Sequence, residues 1–279
     1  MGRAQTSSAE SHALHRRGDL RFAPQITADM LSGKQLDATS AFEDAWRRRF
    51  ENYGASHDDD ASIAGWSSSG LDARLRHFKR AWPTDAPCGD WLDAGCGAGT
   101  YSRFLAERKM SVVAIDYSWP STRKARDRSQ LDIRWATADV TALPLRTNSL
   151  DGVLCLGVMQ ALASPEPALT ELVRVLRPGG IVWVDALNAR CFPSALEILW
   201  RRLKDQPPRL RHDQPRRLIA LLQSIGFRDV RCHFVPILPG KLDRLQSVAE
   251  ARFVHRLLAA APTLAQLVSH AFLLTGQKR

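Results

Sequence analysis

The sequence predicts an α/β fold built on an open, doubly wound sheet, and three observations carry that prediction. The first is a short buried-strand run, Trp91 to Ala94, that stops at glycines on alternate positions and passes at once into a helical pattern, Tyr101 to Lys109. The second is a β-branched run, Ser111 to Ile115, closed by the carboxylate of Asp116. It lies 17 residues past Gly99, where the second parallel strand of a βαβ unit should end. The third is the continued alternation of strand and helix patterns. Leu131 to Ala136, Gly152 to Leu156 and Ile181 to Asp185 read as strands, and Pro165 to Leu176 reads as a helix between the last two.

The turn after the first strand is the most informative stretch. Glycines bunched between a strand and a helix let the backbone take positive φ and let a ligand approach with no Cβ in the way. The amides that open the next helix, from Thr100 onward, point at the same spot with the positive end of the helix dipole behind them. The arrangement suits a nucleotide-like or zwitterionic ligand. The glycines stand at 95, 97 and 99 and residue 100 is threonine, so the spacing departs from the G-x-G-x-x-G that seats a pyrophosphate. Asp93, two residues before the first glycine, would repel a pyrophosphate and suit a ligand carrying an ammonium. This weighs against a hydride-transferring dehydrogenase.

Asp93-Ala94-Gly95-Cys96-Gly97-Ala98-Gly99 resembles motif I of the class I S-adenosylmethionine (SAM)-dependent methyltransferases. Further segments follow in the family's order: Asp116 after the second strand, Ala138-Asp139-Val140 after the third, and Leu143-Pro144-Leu145-Arg146-Thr147-Asn148-Ser149-Leu150-Asp151. The last is the turn Arg177-Pro178-Gly179-Gly180. The resemblance covers residues 89–188. It implies a Rossmann-like, seven-stranded sheet of order 3-2-1-4-5-7-6, with a helical lead-in before it and helical insertions towards the C-terminus. It also implies SAM as methyl donor and a small-molecule acceptor methylated at oxygen or carbon. Cofactor-binding residues carried over are Asp93, Gly95, Cys96, Gly97, Gly99, Asp116, Tyr117, Asp139, Val140 and Leu156. Asp116 would accept both ribose hydroxyls, and Tyr117 would lie against the adenine. Asp139 would accept from the adenine amino group, with the adjacent amide on the ring. The pattern is similar to the quinone- and sterol-type C-methylases and to natural-product O-methylases, without choosing between them.

One departure bears on catalysis. Many relatives show paired histidines after strand four, whereas this chain has Leu156-Gly157-Val158-Met159-Gln160, and a glutamine there cannot act as a base. A sulfonium methyl is already electrophilic, so in-line positioning can supply most of the acceleration, although a hydroxyl acceptor gains from a general base. His57, His212 and His233 are candidates by chemistry alone, and no catalytic residue is assigned.

The rest of the chain frames that core. Residues 1–37 are polar and mixed, and read as a flexible extension. Residues 38–88 read as a helical lead-in or cap. Ser40-Ala41-Phe42-Glu43 fits a capping box, Asn52-Tyr53-Gly54 a helix end, and Leu71, Leu75, Phe78 and Trp82 a second helix. Tyr53, Trp66 and Arg74 are the lead-in residues placed to face the cofactor or acceptor. Residues 89–279 read as the methyltransferase domain, and within it residues 189–279 hold 16 Lys/Arg against 6 Asp/Glu, the whole formal net charge of +10. That bias suits an anionic metabolite or a membrane surface, and also an RNA substrate. No RNA-binding module is evident, so nucleic acid ranks below a small molecule, and a SAM-binding protein without turnover is a third alternative. Leu242, Leu245, Ala249, Phe253 and Leu257 read as one helical stripe over 241–258. Five scattered cysteines predict neither disulfide framework nor metal site. The opening residues carry no secretory apolar segment, and the expectation is a cytoplasmic protein, able to dock peripherally on a membrane.

Overall fold

The computed structural model describes residues 35–237 and 246–279. Helices α1 (Gln35–Ser56), α2 (Asp60–Ile63) and α3 (Ser68–Ala81) precede strand β1 (Asp90–Ala94). There follow α4 (Thr100–Ala106), β2 (Ser111–Asp116), α5 (Trp119–Arg128), β3 (Ile133–Thr137), β4 (Leu150–Cys155), α6 (Glu166–Val175) and β5 (Leu176–Leu187). The final third holds α7 (Phe192–Leu203), α8 (Pro215–Ser224), β6 (Phe227–Val235), α9 (Gln246–Ala249), α10 (Arg252–Ala260), α11 (Pro262–Val268) and β7 (Ala271–Lys278).

The strands form one sheet in the order β3-β2-β1-β4-β5-β7-β6. Strands β1 to β5 pair in parallel, and β7 runs antiparallel between β5 and β6. This is the order that the family resemblance implies. Side chains alternate across the sheet, as period-2 geometry requires. Leu92, Val113, Val153 and Val182 join one core with Leu169 and Leu172 of α6 and Leu218 and Leu222 of α8. Trp91, Val112, Leu154 and Trp183 join the other with Phe78 of α3 and Phe104 of α4. The register Ala94↔Ile115 ends β1 and β2 side by side, which brings Gly95 next to Asp116.

Several local expectations are corrected. Helix α1 starts at Gln35, before the Ser40 box, and takes in residues 35–37 of the expected extension; residues 1–34 lie outside the described residues. The Glu43 carboxylate accepts from the Ala163 amide at 2.9 Å rather than closing a capping box. The helix also runs through Gly54 to Ser56, because Gly54 is a packing spacer there. A Cβ on it would meet Ser121 Oγ at 2.3 Å. The Arg177–Gly180 turn lies inside β5 as an irregularity, since Leu150 pairs with Leu176 and Gly152 already with Ile181. The stripe expected over 241–258 is interrupted: α9 and α10 are separate, and residues 241–245 lie outside the described residues. On α7, Phe192, Leu196, Leu199, Trp200 and Leu203 are each more than half exposed, so that apolar stripe faces outward.

Candidate functional site

A cavity opens where β1, β2, β4 and β5 end, with residues of α1, α2 and α3 on its other side. Counted with its open mouth, it measures about 1100 Å³. The loop leaving β1 is pinned to the neighbouring strand, the amides of Gly95 and Cys96 both donating to the Ile115 carbonyl at 2.7 and 3.0 Å. Gly95 has φ +80°, and a Cβ there would strike Val158 Cγ2 at 2.1 Å. Nothing lies within 4 Å of the Cβ position of Gly97, so the main chain stands open to a ligand.

Asp116 is held from two sides. Its Oδ2 accepts from the Gly97 amide and its Oδ1 from the Ser118 amide, both at 2.8 Å. An ionised carboxylate accepts about four hydrogen bonds, so capacity remains towards the cavity that it lines. Burial pushes its carboxyl above the ordinary value, against the pull of the two amides. Tyr117 donates through its hydroxyl to the Trp46 carbonyl at 3.1 Å, which ties α1 to the end of β2. Asp139 Oδ1 accepts from the Thr141 amide and hydroxyl at 2.8 and 2.7 Å, and Oδ2 is ion-paired with Arg47. That carboxylate is already largely occupied, with one acceptor direction left.

Eight of the ten residues carried over from the motifs line the cavity: Gly95, Cys96, Gly97, Asp116, Tyr117, Asp139, Val140 and Leu156. Asp93 and Gly99 do not. Asp93 is 1% exposed and accepts from the hydroxyl of Ser102 on α4 at 2.5 Å. Strand alternation turns it into the face of the sheet, away from the strand end, so it presents no carboxylate to an ammonium. Burial pushes its carboxyl up to about 7, partly opposed by the Ser102 hydroxyl. Gly99 is the residue before α4, with φ +81°, and a Cβ there would lie 2.5 Å from Trp135 Cη2; its role is packing.

Of the lead-in candidates, Trp66 and Arg74 line the cavity and Tyr53 does not. Among the described residues no histidine lines it, which removes His57, His212 and His233 as direct contacts. Gln160 donates through Nε2 to the Gly157 carbonyl at 2.6 Å and is absent from the lining.

Arg47, Asp60 and Asp185 are among the charged lining residues that escaped the sequence reading. Arg47 is described above. Asp60 accepts from the Thr100 hydroxyl at 2.6 Å and is ion-paired with Arg103, holding α2 over the start of α4. Asp185 on β5 accepts from the Gly157 amide at 2.6 Å and from Arg74 Nη1 at 2.8 Å. Burial pushes its carboxyl up while Arg74 pulls it down. Asp185 ends an apolar strand run as Asp116 does, and that was a usable signal. Nothing local marks Arg47 or Asp60. In all, the lining carries the carboxylates of Glu43, Asp60, Asp116, Asp139 and Asp185 against the guanidiniums of Arg47 and Arg74. A formal excess of acid favours a cationic ligand.

The comparisons with known proteins agree with this geometry. The family model described as a methyltransferase domain matches residues 92–184. Malonyl-[acyl-carrier protein] O-methyltransferase of Enterobacter lignolyticus is 36% identical over 143 residues, covering 50% of this chain and 52% of that protein. Demethylmenaquinone methyltransferase of Renibacterium salmoninarum is 38% identical over 89 residues, covering 32% and 37%. The chain thus spans about half or less of the length of these curated relatives. A SAM-dependent methyltransferase of Thermotoga maritima superposes with TM-score 0.53 at 18% identity, covering 86% of this chain and 99% of that one, a likeness of fold.

Proposed function

We propose that this chain, whose residues 92–184 match the methyltransferase-domain model, acts as a class I SAM-dependent methyltransferase and transfers a methyl group from SAM to an oxygen or carbon of a small-molecule acceptor. The observation that carries the reading is the strand-end cavity with its bare Gly97 main chain, the pinned Asp116 and an acid-rich lining. The fit to the donor is chemical at each part. Asp116 has acceptor capacity for the two ribose hydroxyls, Tyr117 and the Val140 amide flank the adenine position, and the excess of carboxylates suits a sulfonium cation. The relatives named for malonyl-[acyl-carrier protein] and demethylmenaquinone methylation support a small or carrier-borne acceptor over a nucleic acid.

SAM, when bound, supplies an electrophilic methyl group on a positively charged sulfur. The residues of this chain do the rest by placement. Gly95 to Ala98 and Leu156 form the wall at the ends of β1 and β4. Trp46, Phe50, Ile63, Trp66 and Leu71 from the lead-in line the cavity with apolar surface, which excludes water and holds an acceptor at near-contact distance. Burial and nearby Asp185 push the Tyr101 hydroxyl up, which keeps it protonated. An acceptor that ionises by itself in water needs no base from this site.

Calorimetric titration with SAM tests the proposal, with NADH as the control. Micromolar SAM affinity and no NADH binding is the expected result. Asp116→Asn, which keeps the shape and loses the charge, should weaken SAM binding about tenfold or more by removing charge-assisted hydrogen bonds. Wild-type protein that binds no SAM would end the reading.

A further inference from the structure

Two segments of the chain stand outside the doubly wound unit and share one end of the sheet. Helix α7 follows the end of β5, and α9 to α11 lie between the end of β6 and the start of β7. The pairs Leu187↔Ala271 and Val235↔Ala271 set those three strand ends side by side. Strands β1 to β5 are parallel, so this is also the end at which the cavity opens. Asn188, fully buried, clasps the two segments together. Its Nδ2 donates to the carbonyls of Gln266 and Ser269 at 2.7 and 2.8 Å, and its Oδ1 accepts from the Arg190 amide at 3.0 Å. The loop leaving α7 in turn touches α1, whose Trp46 donates to the Arg209 carbonyl at 3.2 Å.

Both segments turn apolar side chains to solvent. On α7, Phe192, Leu196, Leu199, Trp200 and Leu203 recur at three- and four-residue steps, each more than half exposed, and the row spans about 17 Å. Phe253 and Leu257 on α10 and Leu264 and Leu267 on α11 are exposed as well. Scattered apolar residues at a surface are ordinary, whereas aligned rows on neighbouring segments mark a contact face. The charge around the rows has one sign. Residues 189–212 hold six Lys/Arg against two Asp/Glu, and residues 251–270 hold two Arg and no acid. Of the two acids, Glu197 is ion-paired with Arg201 at 3.2 Å. Arg202 is exposed beside Leu203, and the Lys204 ammonium lies 5.3 Å from the centre of the Trp200 ring. A second copy of this chain, related by a two-fold axis, would set this basic rim against itself. Leu, Phe and Trp rows rimmed by cations are instead the pattern of helices that lie on an anionic lipid surface.

We propose that the exposed faces of α7, α10 and α11 dock this protein on a membrane surface that carries anionic lipid. Phe192, Trp200 and the leucines enter the boundary between headgroups and acyl chains, while Arg202, Lys204 and Arg256 meet lipid phosphates. Docking there holds the cavity end of the sheet towards the lipid. The inference does not depend on the methyl-transfer reading.

The test is flotation of full-length protein with phosphatidylcholine vesicles, with and without phosphatidylglycerol, at low ionic strength. Wild type should bind the phosphatidylglycerol vesicles about tenfold or more tighter than the neutral ones, and added salt should narrow the difference. Leu199→Ser/Trp200→Ser changes side chains that already face water. Its thermal midpoint should equal that of wild type, while its affinity for phosphatidylglycerol vesicles falls about tenfold or more. Should that pair lower the midpoint, Leu196→Gln/Leu203→Gln carries the same expectation. Arg202→Gln/Lys204→Gln should lose about tenfold on the anionic vesicles and nothing on the neutral ones. Wild type that floats with neither vesicle, or equally with both, would overturn the proposal. So would any of these variants binding phosphatidylglycerol vesicles as wild type does. Sedimentation velocity without lipid tests the other occupant. A wild-type dimer that Leu199→Ser/Trp200→Ser renders monomeric would assign the face to a second copy, and that too would overturn the proposal.

Discussion

Asp93 and Asp116 are both carboxylates on buried strands, and their surroundings give them different work. Asp116 stands at the end of β2, fixed by two backbone amides, with capacity left for a ligand. Asp93 points into the sheet face against Ser102, and burial raises it to about 7. The folded protein therefore holds the Asp93 proton up to about pH 7, whereas the unfolded chain releases it near the ordinary carboxylate value. The native state binds more protons between those limits, so this group makes stability fall as pH rises from about 4 to about 7, by roughly 4 kcal/mol, and leaves the full penalty above that. Asp93→Asn should match wild type near pH 4 and exceed it in stability at pH 8 by roughly 3–4 kcal/mol. Urea unfolding at the two pH values measures this, and a pH-independent difference would show that Asp93 is ionised in the fold. The sequence located both carboxylates. Spacing alone did not tell which pointed at a ligand, because the direction of a strand side chain follows from the packing of its two faces.

At the scale of elements, the loop from β1 into α4 was legible because its demands are local. Positive φ at Gly95 and Gly99 favours glycine whatever surrounds it. Gly99→Ala combines an unfavourable φ with a methyl 2.5 Å from the Trp135 ring, and should destabilise by about 1–3 kcal/mol or more. A thermal melt shows it, and an unchanged midpoint would mean that Trp135 moves freely aside. The same residue type misleads at Gly54, where local reading ends the helix and packing against Ser121 continues it. Helix α7 shows the limit from the other side. Leu196, Leu199 and Trp200 fall at helical spacing along it, yet they face outward, and period alone does not say what covers a stripe.

Across the whole molecule, the lead-in helices are fastened to both halves of the sheet. Tyr117 donates to Trp46 and Arg47 pairs with Asp139 on the β2–β3 side, while Glu43 accepts from Ala163 after β4 and Trp46 donates to the Arg209 carbonyl at 3.2 Å. Helix α3 is anchored in the core through Phe78, whereas α1 rests on these polar contacts and on the packing of Gly54 against Ser121, so α1 should open locally at lower cost than α3 or the sheet. The double variant Glu43→Ala/Arg47→Ala should speed hydrogen exchange of amides 46–56 about tenfold or more and leave those of β1 and β4 unchanged. Uniform acceleration would mean that the cap unfolds only with the core. Among the described residues no helix is long and apolar enough to cross a membrane.

The sequence by itself determined the order of strands and helices, the glycine turn, the carboxylates at or near the strand ends and the likeness to a methyltransferase domain, since each rests on short-range backbone geometry or on motif spacing. The tertiary structure decided which side chains meet in the cavity. Arg47 reaches Asp139, Asp60 reaches Arg103, and Arg74 reaches Asp185 across 111 positions of chain. Such pairs leave no periodic trace, because their partners are chosen by how the lead-in docks over the strand ends.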